Sequence, residues 1–334
     1  MYRHFVVLVD DSDAGIDTVT HAVALARSVG ARVTFVHVVR EPQYGAGAAS
    51  GRRLDDCVRE MVAAKAEAAA RALGVPCESM RVTGAAAQRA RASDAGAWRC
   101  DLVCVAARAV AARDGVGEAV DVDAGCAAGS LAAQFAAANV PVLSCAVRRS
   151  PAAARVVAAL YRAHRATGVA LCERLAHSGL AHAGRAAVRG AAASEVACEV
   201  ASDVACDASG AHPGLDALRI PRLGPADACR ISSLLRVRTS VVDAELGELE
   251  RQHQRGTALF EELVRVVAAS SAGVAPPARV EEALHGYAQF VWEYFGRKEG
   301  VIVPAAQRYL REDDWREIEA AFATTASIAG TGTP

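Results

Sequence analysis

Apolar residues follow two kinds of spacing along this chain, and the change between them falls near residue 150. In the first half, short apolar runs alternate with stretches of helical spacing. Phe5 to Val9 is nearly continuous, as in a strand buried on both faces. Asp11, Ser12 and Asp13 then offer helix caps, and Ile16, Val19, Val23 and Ala26 recur at helical spacing up to Gly30. Arg32 to Val39 predicts a second strand and Gly45 to Gly51 a loop. Leu54 to Leu73 predicts a helix with an alanine-rich face. Cys77 to Val82 predicts a strand, Ala85 to Trp98 a helix and Asp101 to Ala106 a strand. Ser130 to Ala138 predicts a helix, and Val140 to Val147 the last strand. Five strands alternating with four helices call for an α/β fold, a doubly wound parallel five-stranded sheet covered on both faces. Ligands of such sheets sit beyond the carboxyl ends of the strands. Asp10 and Val38, at the ends of strands one and two, are the residues placed to line that crevice. Asp10 and Asp11 can equally serve as helix caps.

Beyond Arg148-Arg149-Ser150-Pro151 the spacing is helical throughout. Val157, Leu160, His164, Leu171 and Leu175 share one face. Pro225 can open a short second helix carrying Asp227, Ile231, Leu234 and Leu235. Val242, Leu246, Leu249, His253, Phe260, Leu263 and Val267 mark a third helix. Val280, Leu284, Tyr287, Val291 and Tyr294 mark a fourth. Long stripes of this period predict an all-α four-helix bundle over residues 155–325. An alanine- and glycine-rich stretch at about 179–212, containing the repeat Glu195-Val-Ala-Cys-Glu199 and Asp203-Val-Ala-Cys-Asp207, reads as a low-complexity insertion. Polar residues interrupt the stripes at His164, Asp227, His253 and Tyr294. A buried polar group without a partner costs about 1–3 kcal/mol, so these four are expected to meet one another, water or a metal.

Composition narrows the classes. The chain is 52% hydrophobic and 22% charged, as globular chains are, and its formal net charge of −1 draws neither nucleic acid nor anionic membrane. There is no long apolar span and no secretory pattern at the start, so a cytoplasmic protein is expected, with its ten cysteines as reduced thiols. At 334 residues, two domains with separate cores are expected, with the boundary near residue 148.

The first half resembles the universal stress protein family over residues 1–148. The resemblance rests on VVLVDDSDAGIDTVTHAVALARSVGARVTFVHVV, on DLVCVA and on GSLAAQFAAANVPVLSCAV. Members often bind ATP through a glycine-rich loop of pattern G-x2-G-x9-G-[ST], where backbone N–H groups reach the phosphates. Here Gly129 and Ser130 keep the last pair, whereas Ala106 and Ala109 occupy the first two glycine positions. Between them lie Asp114, Glu118, Asp121 and Asp123, which repel phosphate, and Asp11 stands where the family usually has glycine. ATP binding in the family's manner is therefore not expected, and a weak ATPase is a subordinate alternative. The resemblance also implies a homodimer through the last strand.

The second half resembles the haemerythrin-like (HHE) domains. The carriers are RVRTSVVDAELGELERQHQRGTALFEEL and ALHGYAQFVWEYFGRKEGVIVPAAQRYLREDDWREIEAAF. That family holds non-haem di-iron with histidines and carboxylates from four helices. The resemblance implies His164, His253 and Glu299 as surviving ligand positions, with Asp227 and Tyr294 as altered ones. Glu299 follows Tyr294 at a spacing of five, which is not one face of an ideal helix. His177 and His182 are expected at the surface. The two halves together read as a non-enzymatic stress-response or sensory protein with depleted nucleotide and iron sites. A non-haem iron sensor of oxygen or redox state, and an ATP-binding stress protein, are the alternatives.

Overall fold

The computed structural model describes the backbone of residues 2–39, 49–83, 99–107, 131–190, 215–220 and 227–330. Side chains are described for these, except at 39, 49–52, 83, 179–190, 216, 227–229 and 323–330. In order, the elements of the first half are β1 (His4–Val9), α1 (Asp13–Val29), β2 (Arg32–Val39), α2 (Ala49–Ala72), β3 (Cys77–Thr83), β4 (Leu102–Ala106), a helix α3 at 131–137, and β5 (Val142–Cys145). The helix expected at Ala85 to Trp98 lies outside the described residues.

All six residues of β1 are buried, as a continuous apolar run requires of a central strand. The sheet is parallel, in the order β3-β2-β1-β4-β5. β1 is flanked by β2 and β4, with Val7 opposite Phe35 on one side and Cys104 on the other. The strand order reverses there, so the carboxyl ends of β1 and β4 frame the crevice of this fold class. Ser12 caps α1, its side chain accepting from the Gly15 N–H, and Gly30 closes the helix at φ 70°. Only glycine takes that left-handed conformation without a Cβ clash.

The two faces of the sheet are covered differently. Val6, Leu8, Val36, Val103 and Val105 pack against Leu131, Ala132 and Phe135 of α3. Phe5, Val7 and Val9 pack against α1 and α2, and the apolar cluster continues from there into the helical half. That half comprises α4 (Pro151–Gly190), a 3₁₀ turn (Asp216–Leu218), α5 (Asp227–Arg238), α6 (Asp243–Ser271) and α7 (Pro277–Arg297). A π turn (Lys298–Ile302), α8 (Val303–Tyr309) and α9 (Glu312–Gly330) follow. The described residues beyond 150 are thus mostly helical. The helix α4 runs on to Gly190, into the stretch expected to be an insertion; residues 191–214 lie outside those described.

Instead of two separate cores, one apolar cluster joins Phe5, Phe35 and Ala70 to Leu160, Trp292 and Phe295. The helix α2 makes this continuity. One side of it faces the sheet, and the other packs against α4, α7 and the π turn. The backbones come very close there. A Cβ on Gly296 would run into the backbone of Lys65, one on Gly300 into Ala69, and one on Gly168 into the sulfur of Met61. Alanine improves helix propensity over glycine by about 1 kcal/mol in an exposed helix, but at Gly296 it must push α7 off α2. Gly296→Ala is expected to lower stability by about 1–3 kcal/mol, read as a drop in the urea midpoint at unchanged m. No helix among the described residues is long and apolar enough to cross a membrane.

Candidate functional site: a buried ion cluster between sheet and helices

The turn after β1 is built by its own polar side chains. Asp10 Oδ1 accepts from the Ser12 N–H at 2.9 Å and from the Ser12 hydroxyl at 2.5 Å, an Asx-type turn that leads into the capped helix. The next side chain, Asp11, points the other way, toward α2 and α4. Its carboxylate lies 3.9 Å from Lys65 Nζ and 3.3 Å from Arg165 Nε. Arg165 also fastens the turn itself, donating from Nε to the Asp11 carbonyl at 2.8 Å and from Nη2 to Asp13 Oδ1 at 2.7 Å. One turn further along α1, Asp17 takes a two-pronged bond from Arg149 (2.9 and 2.5 Å) and one from the Tyr161 hydroxyl (3.2 Å). Every one of these cations and donors lies on α2, on the segment before α4, or on α4.

Lys65 and Glu299 are the centre of the cluster. Lys65 Nζ lies 2.9 Å from Glu299 Oε2, and His164 Nδ1 lies 2.9 Å from Glu299 Oε1. The three side chains are 6%, 3% and 1% exposed. Burial alone would raise the Glu299 carboxyl, but the Lys65 ammonium and the His164 bond outweigh it and hold the group below its ordinary value. Burial depresses His164 to about 4, against the opposing pull of Glu299. At neutral pH His164 is therefore uncharged and its Nδ1–H donates to the carboxylate. Its ring stacks on Phe295, centroids 4.1 Å apart. Burial raises Asp11 too, opposed by Lys65 and Arg165 and reinforced by Glu299. Its Oδ1 is buried without a hydrogen-bond partner among the described residues. A cavity of about 20 Å³ beside it, lined by Asp10, Asp11, Lys65, Glu299 and Gly300, has room for a single water.

The π turn explains how Glu299 reaches this place. The Val303 N–H bonds the Lys298 carbonyl, five residues back, so one extra residue is accommodated between Tyr294 and the helix beyond.

The expected site residues separate into groups. His164 and Glu299 are brought together. Tyr294 is buried on the far side of Phe295, at 6.0 Å between rings. His253 is half-buried, its ring 6.4 Å from that of Tyr294, in a different cleft with Arg219, Phe260 and Tyr287. Asp227 is the first residue of α5, and its side chain lies outside those described. Among the described residues, no three His, Cys, Asp or Glu side chains are grouped so as to hold a metal. Among the described residues the expected iron set does not converge, and the place beside Glu299 is taken by Lys65. An ammonium ion already supplies positive charge to both carboxylates, at 2.9 Å from Glu299 and 3.9 Å from Asp11. The site does not fit iron. His177 is exposed and bonded to the Glu173 carbonyl. Val38 is half-buried near the end of β2, while Gly129, Ser130 and the acidic stretch between Ala109 and Gly129 lie outside the described residues.

Sequence reasoning missed Lys65, Lys298 and Arg165, although a signal existed. Only two of the 37 Lys and Arg residues are lysine, at 65 and 298. Both are buried, at 6% and 8% exposure, where lysine is rarely found. Met61, Lys65 and Ala69 also fall on one helical stripe. Burial lowers Lys298 to about 8, with Glu299 opposing, and its ammonium lies 6.0 Å from the Tyr294 ring centre.

Comparison with known proteins finds matches to part of the chain. No curated protein matches it. A solved structure entitled "Crystal structure of universal stress protein in complex with cAMP" is similar over 44% of this chain and 99% of its own, at 19% identity and a TM-score of 0.33. The model of the universal stress protein family matches residues 1–146, ending before the helical half. Residues 1–146 are thus a universal stress protein family domain, followed by a helical region packed on its α2.

Proposed function

We propose that this chain is a non-enzymatic stress-response protein in which the helical half reads the state of the crevice at the carboxyl end of β1. The observation that supports this is the attachment of the β1–α1 turn. Arg165 of α4 holds the Asp11 carbonyl and the Asp13 carboxylate, and Lys65 and Glu299 continue the same chain of charges to the π turn. In parallel sheets this turn borders the ligand crevice. A ligand that shifts it must either break those bonds or carry α4 along. The helical half is, on this reading, a haemerythrin-like bundle that keeps a histidine–carboxylate pair and uses lysine in place of metal. A homodimer through β5 belongs to the same proposal. Leu143, 37% exposed on that edge strand, supplies apolar surface for it.

ATP is not the ligand this turn favours. The Asp10 carboxylate is spent on its own turn, and Asp11, at a family glycine position, is committed to Lys65 and Arg165. Titrating Mg-ATP in a calorimeter is expected to give no micromolar binding. Micromolar binding that disappears in Ser130→Ala would replace this reading with that of an ATP-binding stress protein. For any small molecule that does bind, hydrogen exchange should change in α4 around residues 157–171 as well as in the β1–α1 turn. Binding that leaves α4 untouched would remove the reading role.

A further inference from the structure

The seam between α2 and α4 has a second feature, away from the ion cluster. Lys65 and His164 hold the two oxygens of one carboxylate. One turn back along α2 and one turn on along α4, Met61 lies against Gly168. The two helices therefore run antiparallel, and four residues up one match four residues down the other. A further step, about 6 Å along each axis, places Cys57 opposite Cys172. The two side chains interact there, which lowers the Cys57 thiol and raises that of Cys172. Both are free thiols, with Cys57 half-buried and Cys172 buried. Gly168 leaves room on α4 for the Met61 side chain, and the same register sets Cys57 against Cys172 one turn further along each helix.

We infer that Cys57 and Cys172 form a peroxide-oxidised disulfide that staples the universal stress domain to its helical half. The steps balance. The Cys57 thiolate attacks one oxygen of a hydroperoxide, the O–O bond breaks, and Cys57 becomes a sulfenic acid as water or an alcohol leaves. The Cys172 sulfur then attacks Cys57 Sγ, the S–O bond breaks, and water leaves with the Cys172 proton. Two thiols lose two electrons in all and the hydroperoxide gains them. The half-exposed sulfur meets the oxidant, and the buried one resolves it. Cys104 and Cys145, on the neighbouring strands β4 and β5, also interact, but both are buried. They provide an internal comparison, expected to stay reduced under mild treatment.

The test uses the full chain, hydrogen peroxide at a small molar excess, quenching with N-ethylmaleimide, and trypsin. Cleavage after arginine releases LDDCVR (54–59) and ATGVALCER (166–174), each with a single cysteine. The expected product is these two peptides joined, two hydrogens lighter than their sum. It should account for more than half of both and vanish on dithiothreitol treatment. In Cys57→Ser or Cys172→Ser the joined peptide should be absent. Recovery of both peptides alkylated after oxidation would overturn the proposal. So would Cys57 recovered as an unlinked sulfinate, or either peptide joined to a different cysteine. The wild-type digest decides the matter even if a serine variant folds poorly.

Discussion

Replacing Lys65 with methionine is expected to destabilise the chain by about 3–5 kcal/mol, the loss that follows when one partner of a buried ion pair is removed. Methionine fills much the same volume, so packing is nearly conserved and the change isolates the charge. Glu299, 3% exposed, would keep the His164 bond and the more distant Lys298 and Arg165 cations. Its carboxylate must then either remain buried with half its partners or take up a proton. Glu299→Met should cost a similar amount, because it leaves the buried Lys65 ammonium with only the Asp11 carboxylate, 3.9 Å away. The double variant should be more stable than the sum of the single losses implies, by at least about 2 kcal/mol, since two apolar side chains replace a desolvated pair. Lys298 is an informative contrast. Among the described residues no carboxylate bonds it directly, and its ammonium is held over a tyrosine ring in the protein interior. Lys298→Met is expected to be neutral or stabilising. The two buried lysines thus respond differently, a large loss at Lys65 and none at Lys298, which urea denaturation at neutral pH reads directly. Equal losses at both positions would mean that general packing, not the pair, is what Lys65 supplies.

Acid should weaken the fold well before the carboxylates titrate. Burial holds His164 and His37 at about 4, with the Arg81 and Arg59 cations adding to the effect at His37. In the unfolded chain both return to the ordinary value near 6.5. Between these limits the unfolded state binds more protons than the folded one, so stability rises with pH through the window and falls as pH drops from about 6.5 to 4. Above it the contribution is constant. Each histidine can remove at most about 3 kcal/mol at the lower end, at roughly 1.4 kcal/mol per pH unit. Glu299 acts later. Its depressed carboxyl contributes stability above its unfolded value that is lost as pH falls through the folded one. Urea midpoints at pH 7, 6, 5 and 4.5 should fall progressively, and His37→Gln should remove about half of the slope. A flat profile down to pH 5 would show that these imidazoles are charged in the folded chain.

Much of the sheet was legible because its chemistry is local. The apolar run of β1, the cap at Ser12 and the left-handed Gly30 are set by neighbours in sequence, and the stripes of α4, α6 and α7 by helical period. The cluster was legible in part. The haemerythrin-like resemblance implies His164 and Glu299 as ligands of a metal, whereas here they bond one another. What surrounds them was hidden, since periodicity reports which face is buried and not what covers it. The covering group is Lys65, from a helix of the other half, and its approach depends on Gly296 and Gly300 letting two backbones meet. The π turn was hidden for a similar reason, as a one-residue widening leaves no mark on a stripe of period 3.6. The helices α8 and α9 were also unmarked as separate elements. Leu310, with ψ 141°, breaks between them. Asp314 starts the second, accepting from the Arg311 N–H and from Arg238.

The claim that sheet and helices form one unit, joined along α2 by the buried Lys65–Glu299–His164 cluster, is tested most directly by unfolding the chain while watching each half. In a Trp98→Phe background, fluorescence reports only Trp292 and Trp315, buried on α7 and α9. Hydrogen exchange of the Phe5–Val9 amides reports β1. One coincident urea transition for both probes, shifted equally for both by Lys65→Met, is the predicted result. A helical signal lost at lower urea, with β1 still fully protected, would contradict it.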